Sequence, residues 1–154
     1  MTIIVDTREK PRAIVRILKE FDSQGINVVR RKLNFCDFID PDRPSVAIDR
    51  KQNLGEICQN LTYGKKRFLR EVERCHNAGC RMVVLIEHSN RIKTLTDVIN
   101  WVNPRLKVSP LAVSGERLFR IMKSFGLHYG VEWQFCDKAH TGQRIIEILG
   151  GGQK

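Results

Sequence analysis

The groups best placed to do chemistry lie in residues 35–51, Phe-Cys-Asp-Phe-Ile-Asp-Pro-Asp-Arg-Pro-Ser-Val-Ala-Ile-Asp-Arg-Lys. Asp40-Pro41-Asp42-Arg43-Pro44 is dense in turn formers, because Pro pre-sets φ and Asp side chains bond the backbone two residues on. The flanks, Phe35 to Ile39 and Ser45 to Lys51, therefore read as two short strands. A hairpin symmetric about Arg43 sets Asp37 opposite Asp49. Side chains alternate along a strand, so Asp49 and Lys51 share one face and Arg50 points to the other. Two carboxylates and an ammonium then converge on one small area. Such oxygen ligands suit Mg²⁺ or Mn²⁺, which take one or two carboxylates plus water and substrate phosphate. The lysine could hold a phosphate or orient a water. Spacing alone leaves a solvated surface hairpin open as the alternative. Against it stands the apolar Val46-Ala47-Ile48 run, since carboxylates ending such a strand are costly unless paired or metal-bound.

Asp37 … Asp49-Arg50-Lys51 resembles the Gly-Asp … Glu-Arg-Lys-x-x-x-Asp signature of the XPF/Mus-type structure-specific nucleases, a branch of the PD-(D/E)XK superfamily. Val5-Asp6-Thr7-Arg8-Glu9 resembles their opening Val-Asp-x-Arg-Glu strand, and most of the chain resembles small stand-alone phage and bacterial members. The resemblance implies an α/β fold, a restriction-endonuclease-like mixed β-sheet flanked by helices. It implies a metal-dependent DNA endonuclease that hydrolyses phosphodiester bonds in flaps, forks or junctions, as in DNA repair or recombination. Asp37 and Asp49, with the carbonyl of Arg50, would bind Mg²⁺ or Mn²⁺. Asp6 and Glu9 would complete the metal shell, holding a second ion or ordering the water, and Lys51 would fix that water or the phosphate oxygens. Arg8 and Arg50 would contact DNA. There are three departures. Cys36 stands where Gly is usual, Asp49 is one methylene shorter than Glu, and Gly55 occupies the trailing-acid position with Glu56 one place later. A catalytically silent DNA-binding module and an RNA nuclease remain as alternatives. From the residues alone, Val5 to Glu9 is a strand-end turn in which Arg8 pairs with a carboxylate.

The 154 residues suffice for one core, which predicts a single domain over 1–149 and a flexible glycine-rich tail over 150–154. A hydrophobic content of 42% argues against disorder. No apolar run approaches the ~18 residues a membrane span needs. The N-terminus lacks a signal-peptide layout, so the expected compartment is the cytoplasm of a bacterium or a phage-infected host. Cys36, Cys58, Cys75, Cys80 and Cys136 form no CxxC pair and read as reduced core thiols. Cys75, His76 and Cys80 make a weak zinc candidate without a second ligand pair. The net charge of +10 is spread over both halves of the chain, which suits a groove for a phosphate backbone.

The elements that must position these groups follow from periodicity. Residues 2–6 read as a buried strand. A helix runs over 10–23 with Ile14, Ile17, Leu18 and Phe21 on one face, and a strand over 26–33 ends in Arg30-Arg31-Lys32. Asn53 caps a helix with Leu54, Ile57, Cys58 and Leu61 inward. After Tyr63-Gly64, a helix to about Asn77 buries Phe68, Leu69 and Val72. Its basic residues are the candidate DNA contacts, Lys65 and Lys66 from the loop and Arg67 and Arg70 from the helix. Arg67–Glu71 reads as a surface i,i+4 pair. Residues 81–87 form a strand buried on both faces, which implies a mixed α/β sheet. Residues 88–113 are irregular and basic, with a capping box at Thr94 and Trp101 in the core. Helices led by Ser114 and Thr141 flank a strand over 131–137, and His140 is a capping or surface residue. A homodimer is expected, because one nuclease site cuts one strand at a time.

Overall fold

The computed structural model describes residues 1–88 and 91–151. Six strands form one mixed sheet: β1 (Thr2–Val5), β2 (Asn27–Arg30), β3 (Phe38–Ile39), β4 (Val46–Lys51), β5 (Arg81–Glu87) and β6 (Glu132–Cys136), in the order β2-β1-β3-β4-β5-β6. β3 is antiparallel to both of its neighbours, while the β1–β2, β4–β5 and β5–β6 pairs are parallel. The helices are α1 (Val15–Ser23), α2 (Leu54–Leu61), α3 (Lys65–Asn77), α4 (Gly115–Tyr129) and α5 (Thr141–Leu149). Strand parity divides the core. Ala47, Met82, Val84 and Ile86 pack with α2, α3 and α4, while Ile48, Val83 and Leu85 pack with α1 and α5. β5 is buried along six of its seven residues between two parallel neighbours, as its unbroken apolar run requires.

Several elements are shorter than the sequence predicts. The 10–23 helix opens as a 3-10 turn over Pro11–Ala13, and the α-helix starts only at Val15, because Ile14 at φ −122° has left the helical region. The 26–33 strand ends at Arg30. The 35–39 strand keeps only Phe38 and Ile39, and Cys36 sits at φ 61° with its thiol buried. That left-handed conformation costs a non-glycine residue about 1–2 kcal/mol. Lys65 and Lys66 form the first turn of α3 rather than a loop. Thr141 begins α5 without capping it, since His140 holds the cap position and pairs with Asp137 at 2.8 Å. Of the expected tail, residues 152–154 lie outside the described residues. Among the described residues no helix is long and apolar enough to cross a membrane.

Asn53 caps α2 by accepting from the Glu56 amide at 3.0 Å, and Glu56 accepts in return from Gln52 N–H at 2.7 Å. Thr94 and Asp97 form the expected box, but it opens only a 3-10 turn, Thr96–Asn100. That turn is seated on α4 through Gly115. An added Cβ there would lie 2.3 Å from the Trp101 carbonyl oxygen and 2.6 Å from that of Val98. Both are backbone atoms that cannot swing aside. Gly115→Ala is therefore expected to cost about 1–3 kcal/mol in urea unfolding and to loosen residues 91–113 first, read as faster proteolysis of that segment. An unchanged midpoint would show that the turn can lift off α4 freely.

Candidate active site

The C-terminal ends of β4 and β5 and the chain entering β3 meet at one end of the central strands. β4 delivers Asp49 and Lys51 to the α2/α3 side and Arg50 to the α1/α5 side, as strand alternation predicts. Lys51 Nζ lies 3.2 Å from Asp49 Oδ2 and 5.9 Å from the centre of the Phe68 ring. Burial opposes the lysine's charge, but Asp49, Asp37 and Glu56 together hold its pKa above the ordinary value. Asp49 Oδ2 is buried, and the Lys51 ammonium is the protein cation that faces it. Asp37 packs beside Asp49, its Oδ2 accepting from Arg50 N–H at 2.8 Å.

Burial raises the Asp37 pKa well above the ordinary 3.8, the Asp49 and Glu9 charges raise it further, and the Arg50 amide works against both. The folded chain thus holds this proton more tightly than the unfolded chain. The associated stability is complete below the unfolded value and is lost as pH rises toward the folded one. Asp37→Asn, which keeps an acceptor for the Arg50 amide, is expected to raise the melting temperature at pH 7 by about 3–8 °C, at roughly 2–4 °C per kcal/mol. The gain should shrink toward about pH 4, where both proteins carry an uncharged group. A variant no more stable than its parent at pH 7 would mean that Asp37 is well solvated.

The structure distributes the other expected site residues differently. Both Asp6 oxygens meet protein donors: Oδ1 accepts from Leu33 N–H at 2.8 Å and Oδ2 from Arg8 Nε at 2.5 Å. Arg8 also donates to the Leu33 carbonyl, with its side chain 59% exposed. The bare strand-end reading of Arg8 paired with a carboxylate therefore describes this turn. Glu9 Oε2 accepts from Arg50 Nη2 at 2.7 Å and Nε at 3.2 Å. Arg50 Nη1 reaches Glu87 Oε1 at 2.7 Å, and Thr141 Oγ1 donates to Glu87 Oε2 at 2.6 Å. Arg50 is thus a buried strut whose side chain is only 5% exposed, and its guanidinium cannot reach DNA as the sequence reading assigned. Asp6 and Glu9 lie next to the Asp37–Asp49 pair, with these oxygens engaged by protein.

Lys65, Lys66, Arg67, Arg70 and Arg74 are exposed along α3, and Arg74 Nε donates to the Asn34 carbonyl at 2.7 Å. Glu71 does not pair with Arg67. It turns toward the site, where its Oε2 accepts from Cys36 N–H at 2.7 Å. Burial and the Asp49 charge raise its pKa, against the Cys36 amide, Lys51 and Arg74. Glu71 and Glu87 were missed as site residues. Glu71 flanks the Phe68, Val72, Cys75 stripe. Glu87 is an acid ending an apolar strand, the same signal that singled out Asp49. The zinc candidate fails: Cys75 Sγ donates to the Cys80 carbonyl, its hydrogen bond with the Cys36 thiol and then burial push Cys75 up to about 12, and His76 is exposed.

The donor set fits a hard divalent cation. Asp37 and Asp49 are adjacent carboxyl groups, Asp49 buried with Lys51 at one of its oxygens and Asp37 disfavoured as an anion by burial and by the Asp49 charge. Among the described residues no set of three or more acidic, His or Cys side chains is grouped to hold a metal ion, so the fit rests on the pair. Mg²⁺ commonly uses one or two carboxylates and completes its shell with water and phosphate.

The site and its frame are thus a six-stranded mixed sheet flanked by helices, with the Asp37–Asp49 pair and Lys51 at the C-terminal end of β4. The chain belongs to the ERCC4 domain family, whose model matches residues 5–149. Its fold matches XPF from Aeropyrum pernix at a TM-score of 0.66 and 18% identity, over 97% of this chain and 63% of that one. A second structure, XPF from Aeropyrum pernix in complex with DNA, matches at 0.65 and 21% identity, over 96% and 62%. The chain thus spans somewhat under two thirds of the length of those structures. No curated protein sequence matched.

Proposed function

We propose that the protein is a metal-dependent endonuclease that hydrolyses phosphodiester bonds in branched DNA. The observation that carries this reading is the juxtaposition of the Asp37 carboxyl and the buried Asp49 carboxylate, with Lys51 Nζ 3.2 Å from Asp49 Oδ2. Asp37 and Asp49 would hold Mg²⁺ or Mn²⁺ together with the Arg50 carbonyl. A divalent ion there supplies a lower pKa for bound water and balances charge on the scissile phosphate. Lys51, half-buried over Phe68 and positively charged, holds the phosphate oxygens or the attacking water. Arg50, fixed between Glu9 and Glu87, sets the end of β4 and so the aim of its two neighbours. The exposed Lys65, Lys66, Arg67 and Arg70 on α3, with Arg8, receive the backbone. Membership of the ERCC4 family and a like-folded relative solved with DNA support DNA as the partner.

Labelled linear, flap, fork and four-way DNAs, incubated with Mg²⁺, Mn²⁺ or EDTA beside an Asp49→Asn control, test the reading. Metal-dependent cutting of the branched forms, absent in the control, is expected. Binding without cutting under every metal would point to a silent DNA-binding module, and preferential cutting of RNA would reassign the substrate. One site cuts one strand, so a homodimer is proposed for double-strand products, and sedimentation of the same samples tests it.

A further inference from the structure

A groove of about 1,070 Å³ opens between α2 and the segment over 101–113. It starts at the candidate active site. Its lining includes Asn53, which caps α2 two residues after Lys51, and Glu56 in the first turn of that helix, whose charge acts on that lysine. His88, the residue after β5 and two beyond the partner of Lys51, also lines it, so the groove and the site share the C-terminal end of β4 and β5.

The remaining lining has an unusual composition. Tyr63 is 99% exposed and Leu111 is 88% exposed, in a cleft that also shows the half-buried Trp101 ring. Arg105 and Arg117 stand among these apolar groups, and Lys107 belongs to the same 3-10 turn as Arg105. Fully exposed aromatic and aliphatic groups are costly in water, and here they gather in one cleft beside cations. Aromatic faces with interleaved cations form the surface that binds unpaired nucleic acid, because bases stack on rings while phosphates meet guanidinium groups. A duplex keeps its bases stacked internally and offers no such faces.

We propose that this groove receives the unpaired DNA strand next to the scissile bond, with Tyr63 and Trp101 as stacking surfaces and Arg105 and Arg117 as phosphate contacts. The inference rests on the nuclease reading. It gives a physical source for branch preference: the duplex lies against the basic face of α3, and only a substrate with an unpaired arm can also fill the groove. Tyr63 lies outside the catalytic cluster, so its removal acts on substrate choice.

Fluorescence anisotropy in EDTA tests this without catalysis, using labelled oligothymidylate, a fork and a blunt duplex. Tyr63→Ala and Arg105→Ala, each checked for folding by circular dichroism, are compared with the parent. The expected result is an affinity about tenfold lower for the single strand and the fork, with blunt-duplex affinity unchanged. In Mg²⁺, the fork-over-duplex cutting ratio should fall by the same factor. Equal losses on all three DNAs, or none on any, would overturn the proposal. If the parent binds the duplex but no single strand, the groove belongs to a protein segment instead. Tighter Tyr63-dependent binding of an RNA strand would overturn the assignment to DNA. The nuclease reading fails separately, through absence of metal-dependent cutting by the parent.

Discussion

Lys51→Ala is expected to lower strand cleavage by about 10²–10³-fold while DNA binding is largely retained. The lysine sits where charge would develop, 3.2 Å from Asp49 and against the Phe68 ring. The apolar wall excludes water on one side, and three carboxylates keep the ammonium protonated despite burial. A cation held this way is organised before substrate arrives, so its loss should appear in kcat more than in affinity, which the proposal assigns to the exposed α3 residues. Removing it also leaves Asp49, Asp37 and Glu71 facing one another with less compensation. The variant's melting temperature must therefore be measured beside its rate. Lys51→Arg restores charge but brings a larger planar group into a tight space, so partial rescue is expected. Full activity of a folded Lys51→Ala protein would remove the lysine from the chemistry.

The paired groups were legible because β4 is a regular strand. The Asp-Arg-Lys triplet at the end of an apolar run obeys period-two alternation, and the pairing of Phe38 with Ile48 and Ile39 with Ala47 keeps the register expected of a hairpin centred near Arg43. That alternation also bears on Arg50. A side chain placed opposite Asp49 and Lys51 had to meet the α1/α5 layer, so its assignment to DNA conflicted with the strand reading itself. What stayed hidden was tertiary or conformational. Nothing local announces that Cys36 adopts φ 61°, because only burial among neighbours holds a non-glycine residue there. Glu71 looked like half of a surface pair with Arg67, but the Cys36 amide, 35 residues earlier, outcompetes that exposed arginine. The Glu9–Arg50–Glu87–Thr141 chain joins four separate segments, and no spacing rule connects them.

That chain underlies the second large effect. Arg50→Met is expected to destabilise the protein by about 3–5 kcal/mol in urea unfolding. The guanidinium neutralises two carboxylates, Glu9 through Oε2 and Glu87 through Oε1, and its side chain and that of Glu87 are almost wholly buried. Methionine fills much of the volume, so the loss isolates charge and hydrogen bonding from cavity formation. Glu87 would keep only the Thr141 hydroxyl, and a buried carboxylate with one neutral donor is far from satisfied. Glu87→Gln should cost less, because it retains an acceptor for Thr141 while the remaining Glu9 still balances Arg50. Combining Arg50→Met with Glu87→Gln should recover a large part of the single loss, giving a coupling energy of about 1–3 kcal/mol. The cycle separates two pictures of the strut. If the double variant regains stability but not cleavage, Arg50 acts by aiming Asp49 and Lys51 from the opposite face of β4. If it regains both, neutralising Glu87 is all that the arginine does. Strictly additive losses would mean that Arg50 and Glu87 are not coupled, and the ion-paired bridge between β4 and β5 would have to be abandoned.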